Sequence, residues 1–415
     1  MKRRPLYLYR ASRFLWLFKL TPAGRVLVLA ILLTALGSVT TQLPIYQLFC
    51  GLFALLGVAE TSGLLFKPSL RIVGEPPTLS SAGGTVTTQF VLHNRSRWRP
   101  ALDVMLGLFG LPRDVKHVSG DLFLPSIRPG GEARLSLTLQ TDRRGIFPLP
   151  AVQAVSTFPF NLVRFGGGKT EPGRLVVLPD YHSLEELEIP VSYRYQPGGV
   201  MLTQGVGHSP EFIGNREYTP GESVRRIDSR AWARLGRPVV KEFHEEYVSR
   251  IALVLDTHLP AFRWPDGANR RRLEAAVSLM AAIAERLNFN EHVIDLFAAG
   301  PELYVFRTIT GTTHFDSVLE ILAGIEPSRQ NPFEKISPLV VEELETISTA
   351  VCVLVGWDTT RAEFVRRVQE SGCQIKGVLI RDPDTNSQDG PPLDLDGDWT
   401  IATAEQIASG ELVRL

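Results

Sequence analysis

The sequence predicts a three-part chain: an apolar helical hairpin, an antiparallel β-sandwich and a carboxy-terminal α/β domain. Three observations carry that prediction. No charged residue stands between Arg25 and Glu60. From Leu70 to about Leu178, short alternating runs are broken by Pro and Gly turns. Beyond Tyr181, apolar strand-like runs alternate with stretches of helical periodicity. A length of 415 residues exceeds one ordinary domain, and the expected boundaries are 1–68, 69–180 and 181–415.

In the hairpin, one helix through the whole charge-free stretch would be roughly 50 Å long, against a hydrocarbon core of about 30 Å. Two spans fit better, from about Val26 to Thr40 and from about Pro44 to Phe66. Thr40, Thr41 and Gln42 break them, and Pro44 suits a first helical turn. Glu60 falls inside the second span, where it should lie near the headgroups or face the first helix. A cleaved signal peptide is the alternative, but the basic stretch is long for one and a second apolar run follows at once. Lys2, Arg3, Arg4, Arg10, Arg13, Lys19 and Arg25 precede the first span; Lys67 and Arg71 follow the second. Basic flanks on both sides predict an inner-membrane protein whose soluble domains face the cytoplasm.

The sandwich is expected from Thr85–His93, Asp103–Phe109, Arg134–Gln140 and Val152–Thr157, each alternating at period two. Gly166-Gly167-Gly168-Lys169-Thr170 ends like a phosphate-binding loop. It lacks the earlier glycine, where Val163 stands, and the following helix, where Pro172-Gly173 stands. It reads as a flexible hairpin loop.

For the α/β domain, strands are predicted at Ile251–Leu255, His292–Phe297, Val351–Val355 and Ile375–Ile380. Helices are predicted at Arg271–Leu287, Thr313–Ala323 and Arg361–Glu370. Such alternation makes a mostly parallel sheet with both faces covered, whose ligands sit beyond the carboxyl ends of the strands. Asp256 and Asp358 fall at two such ends.

Apolar residues at 44% exclude disorder, and 44 basic residues against 44 acidic ones give no global attraction to nucleic acid or an acidic substrate. Cys50, Cys352 and Cys373 form no metal or disulfide pattern and read as small buried hydrophobes. No histidine pair has ligand spacing, and no nucleophile elbow, kinase set or acid–base pair is present. The acidic loop from Asp382 to Asp398 lacks the glycine and glutamate of an EF-hand and reads as solvated.

Phe212-Ile213-Gly214-Asn215-Arg216-Glu217-Tyr218-Thr219-Pro220-Gly221-Glu222-Ser223-Val224-Arg225-Arg226-Ile227-Asp228 is similar to the signature of the bacterial "domain of unknown function 58" family. The continuation Ala233–Phe243, the strand ending in Asp256, and upstream Phe158-Pro159-Phe160-Asn161-Leu162 with Val176-Val177-Leu178-Pro179 extend the resemblance. It implies a von Willebrand factor A-like, Rossmann-like domain. It also implies an association with MoxR-type AAA+ ATPases, and hence a scaffold or adaptor binding that ATPase or its client rather than an enzyme.

Two departures stand out. Ser229 follows the motif aspartate where the family usually has Trp, with Trp232 three residues on. The A-domain adhesion site Asp-x-Ser-x-Ser is here Asp256, His258 and Pro260, without either hydroxyl. A weak Mg²⁺ site at Asp256 and Asp358, helped by Thr257, Thr359 or Thr360, competes with a plainer reading of two solvated carboxylates. An intact metal site would favour an outward-facing metal-dependent receptor or, less so, a hydrolase.

In the signature, arginines are interleaved with Glu217, Glu222, Asp228 and Glu242, which argues against a phosphate backbone as ligand. Arg–carboxylate pairs pinning an extended segment to the sheet are one reading. The other is a protein-docking surface of Arg216, Tyr218, Arg225, Asp228, Trp232 and Arg234, the residue types that anchor interfaces.

Overall fold

The computed structural model describes residues 15–37, 44–118, 123–190, 201–219, 227–247, 250–259, 267–290, 292–299, 303–307, 315–328, 333, 347–381 and 397–415. The chain divides into two compact units, Met1–Leu178 and Pro179–Leu415.

The amino-terminal unit opens with helices α1 (Pro22–Gly37) and α2 (Pro44–Leu65). Thr21 caps α1, its hydroxyl accepting from the Gly24 amide at 3.0 Å, with Pro22 in the first turn. Helix α2 is long and apolar enough to cross a membrane; α1 is shorter and equally apolar. Neither is a core helix, since Leu33 is 70% and Phe53 61% exposed. They meet the rest of the unit at one end, where Leu27, Ile31 and Ala59 pack with Leu162, Val163 and Phe165. Gly63 is needed there, because a Cβ would lie 1.9 Å from the Phe165 ring. Glu60 pairs with Lys19 at 3.5 Å, which fixes the place left open in the sequence: beside the first helix's entry, against a cation. Cys50 is exposed on α2, against the expectation that it is buried.

Eleven strands follow: β1 (Leu70–Val73), β2 (Leu79–Ser81), β3 (Thr85–Asn94), β4 (Ala101–Leu108), β5 (Val115–His117), β6 (Phe123–Ile127), β7 (Glu132–Thr141), β8 (Gly145–Leu149), β9 (Val152–Ser156), β10 (Phe165–Lys169) and β11 (Gly173–Leu178). They form sheets in the orders β1-β3-β7-β5, β10-β9-β4-β6 and β2-β11-β8. Alternation dictates the faces: Phe90 and Leu92 of β3, and Leu135, Leu137 and Leu139 of β7, turn into one core. Val104 and Leu106 of β4 and Leu175 and Val177 of β11 join that core, so strands of every one of these sheets share it. The triple glycine is no flexible loop. It forms edge strand β10, and a Cβ on Gly168 would lie 2.4 Å from the Leu70 carbonyl oxygen.

The carboxy-terminal unit contains β12 (Met201–Glu217), α3 (Ser229–Leu235), β13 (Val239–Tyr247), β14 (Arg250–Leu255), α4 (Gly267–Phe289), β15 (Val293–Ala299) and β16 (Leu303–Arg307). It continues with α5 (Phe315–Gly324), β17 (Thr349–Leu354), α6 (Thr359–Glu370), β18 (Gln374–Arg381), β19 (Asp398–Thr403) and α7 (Ala404–Ser409). Strands β12 and β13 pair as an antiparallel ribbon. The other six make one sheet, β16-β15-β14-β17-β18-β19, parallel except for β16. The central strands β14 and β17 are buried on both faces, which their unbroken apolar runs require. Helix α4 buries Leu273, Val277, Met280, Ile283 and Leu287, and α6 buries Phe364, Val365 and Val368. Cys352 and Cys373 lie in this core, where burial pushes the Cys352 thiol pKa up.

Candidate functional site

The chain leaves β14 for β15 on one side and returns to β17 on the other, so the sheet's crevice opens between the ends of β14 and β17. Asp256 follows β14 and Asp358 follows β17; the structure brings them to this one point. Neither behaves as a free carboxylate. Asp256 is fully buried, which corrects the expectation of a solvated group. Its Oδ1 accepts from the His258 amide at 2.9 Å, and its Oδ2 accepts from the Val355 amide at 3.0 Å. One carboxylate thus ties the two strand ends together.

The remaining partner of Asp256 is Arg361, which sequence reading missed. Arg361 Nε donates to Asp256 Oδ2 at 2.8 Å, Nη1 pairs with Asp358 Oδ2, and Nη2 donates to the His258 carbonyl at 3.2 Å. Asp358 caps α6, accepting from the Arg361 amide at 2.9 Å. Burial alone would lower the Arg361 pKa; the charge and hydrogen bond of Asp256, then those of Asp358, outweigh it and hold the guanidinium charged. The legible signal was an arginine heading the apolar face Arg361, Phe364, Val365, Val368.

The donor set does not fit a divalent cation. A guanidinium already spans both carboxylates, and His258 and Pro260 stand where hydroxyl ligands would be. Among the described residues, no group of three or more His, Cys, Asp or Glu side chains is poised around a common point. The acidic loop 382–396 lies outside the described residues.

The signature segment occupies different ground. Gly214, Asn215, Arg216 and Glu217 pair with Glu242, Lys241, Val240 and Val239 across the ribbon. Asp228 caps α3, its Oδ1 accepting from the Arg230 and Ala231 amides at 3.0 Å each. Those amides, Ala231 foremost, hold its carboxyl below the usual carboxylate range. Arg225, named with Asp228 in the expected docking set, lies outside the described residues. Gly236 closes α3 in the left-handed region at φ 69°.

On this seven-residue helix Ala231 is buried, while Trp232 is 44% exposed beside exposed Arg234 and Leu235. Arg216 is exposed on the ribbon and donates to the Glu217 carbonyl at 3.2 Å; Tyr218 is half-buried. Arg237 pairs with Glu217, both well exposed, so this arginine–carboxylate pair joins the ribbon to the end of α3 at the surface.

Residues 214–387 match the family model described as "Protein of unknown function DUF58". This stretch belongs to the DUF58 family. The matched region takes in the end of β12, all of α3 and the sheet through β18, and so both Asp256 and Arg361. No curated protein matches the chain.

Among solved structures, the cupredoxin domain of amoB from Nitrosocaldus yellowstonii is 13% identical, covering 26% of this chain and 84% of that one, at TM-score 0.18. PapD-like domain 7 of human CEP192 is 12% identical over 27% of this chain and 87% of that one, also at 0.18. A family 123 glycoside hydrolase from Clostridium perfringens is 10% identical over 75% of this chain and 69% of that one, again at 0.18. At such scores these likenesses carry no argument.

Proposed function

We propose that the chain is a membrane-tethered, non-enzymatic scaffold whose carboxy-terminal unit, a von Willebrand factor A-like domain, docks a partner protein. The partner is a MoxR-type AAA+ ATPase or that ATPase's client. The observation that carries this reading is Trp232, a large aromatic left 44% exposed on a helix capped at both ends. An amphipathic aromatic beside Arg234 on the same helix is the kind of anchor that dominates interface energetics.

The A-like assignment is supported by strand order. Counted from β14, the sheet runs 3-2-1-4-5-6, the doubly wound order. The shared core of the amino-terminal sheets supports a β-sandwich. The uncovered apolar surface of α1 and α2 supports a hairpin of two spans, and the basic flanks support a cytoplasmic orientation. Reporter fusions after Lys67 and at Leu415 test the orientation; a periplasmic signal from either sinks it.

The docking test is Trp232→Ala in the full chain, read by pull-down with a purified MoxR-type ATPase and nucleotide. The expected loss is about 2 kcal/mol, roughly thirtyfold in affinity, with an unchanged unfolding transition. Wild-type binding by the variant would remove α3 as the docking surface.

A further inference from the structure

Beyond the end of α2, two open grooves meet at Lys67. One, about 530 Å³, is lined by Lys67, Ser69, Gln153, Lys169 and the Gly166–Gly168 backbone. The other, about 330 Å³, is lined by Lys67, Asn94, Ser96 and Arg99. Three cations face these grooves, and no acidic residue lines either. Such a set is complementary to a phosphate group.

The loop between β3 and β4 is fastened to the same helix end. Arg99 Nη1 donates to the Leu65 carbonyl at 2.7 Å, one of the acceptors a helix leaves unsatisfied at its C-terminus. Asn94 holds the loop from inside: its Nδ2 donates to the Arg99 carbonyl at 2.9 Å, and its Oδ1 accepts from the Ser96 amide at 3.0 Å. On this pinned backbone Trp98 is 89% exposed, more than any other large apolar side chain among the described residues. It stands between exposed Arg97 and Arg99. A Trp flanked by arginines at the end of an apolar span is the composition of a membrane–water interface.

The level agrees. The Lys19–Glu60 pair marks where charge returns along the hairpin. From Glu60 to Leu65 the helix rises about 7 Å, comparable with the headgroup layer outside the hydrocarbon core.

We propose that the grooves around Lys67 hold the phosphate headgroups of anionic phospholipids while Trp98 sits in the interface, binding the amino-terminal unit down onto a negatively charged leaflet. This rests on α2 being a membrane span. The test uses the full chain in nanodiscs of phosphatidylcholine, alone or mixed with phosphatidylglycerol. Two quantities are read: lipid retained after release, by native mass spectrometry, and hydrogen exchange of the amides in 95–99 and 166–169.

The wild type should retain phosphatidylglycerol preferentially and protect both segments on the mixed discs. Lys67→Gln with Lys169→Gln, both exposed positions, should cut that preference by roughly fivefold per cation. Equal retention of the two lipids, an unaffected double variant, or the same protection from inorganic phosphate in detergent would each overturn the headgroup site. Alkaline carbonate separates the two claims. Extraction of the wild type from membranes overturns the α2 span itself, whereas a retained chain without lipid preference overturns the headgroup site alone.

Discussion

Arg361 at the strand ends and Arg237 at the ribbon are held in opposite ways. The Arg361 side chain is 4% exposed, with its guanidinium donating to two carboxylates and a carbonyl. The Arg237 side chain is 62% exposed and meets Glu217 in water. Charge at the strand ends is committed to holding β14, β17 and α6 together. At the ribbon and the adjoining α3, an exposed ion pair and a half-exposed Trp232 face water instead. The crevice where doubly wound sheets bind ligands is therefore closed by the protein's own cation, and the docking surface we propose lies elsewhere.

Arg361→Ala should break this contrast most severely. It strands the buried Asp256 carboxylate, at a cost of about 3–5 kcal/mol in chemical unfolding. Adding Asp256→Asn, which removes the stranded charge but keeps an acceptor for the His258 amide, should recover part of that loss. In the wild type, Mg²⁺ or EDTA should leave the unfolding midpoint unchanged. A midpoint raised by Mg²⁺ would show that the guanidinium yields its place to a cation.

The cap at Asp228 should have a smaller, pH-dependent effect. Its folded pKa lies below the unfolded one, so its stabilising contribution is present above the ordinary carboxylate range and is lost as pH falls through the lowered value. Asp228→Asn, which keeps a capping oxygen, should flatten the acid limb of the stability profile while leaving α3 in place. An unchanged acid limb would show that the cap's charge contributes nothing. Arg237→Ala should do least, under about 1 kcal/mol, as exposed pairs do. A loss as large as that from Arg361→Ala would abolish the distinction between the two regions.

Much of the architecture was legible locally. Period-two alternation located β3, β4, β7 and β9 within a residue or two, and helical spacing located α4, α5 and α6. Strands β16 and β19 escaped notice; they form the two edges of the sheet and lack a long apolar run. The ribbon escaped for another reason, since its pairing joins segments far apart in sequence with several register shifts. Asp256 and Asp358 were legible as strand-end residues, but their state was not.

By itself the sequence determined most of the helices and strands, which of their faces are apolar and that α2 is long and apolar enough to cross a membrane. Those properties follow from side-chain periodicity and the absence of charge over one stretch, both written in neighbouring residues. Only the tertiary structure decided what becomes of the charges. Arg361 reaches a carboxylate 105 positions earlier in the chain. No local pattern records that meeting, because it exists only once α6 has packed beside the ends of β14 and β17.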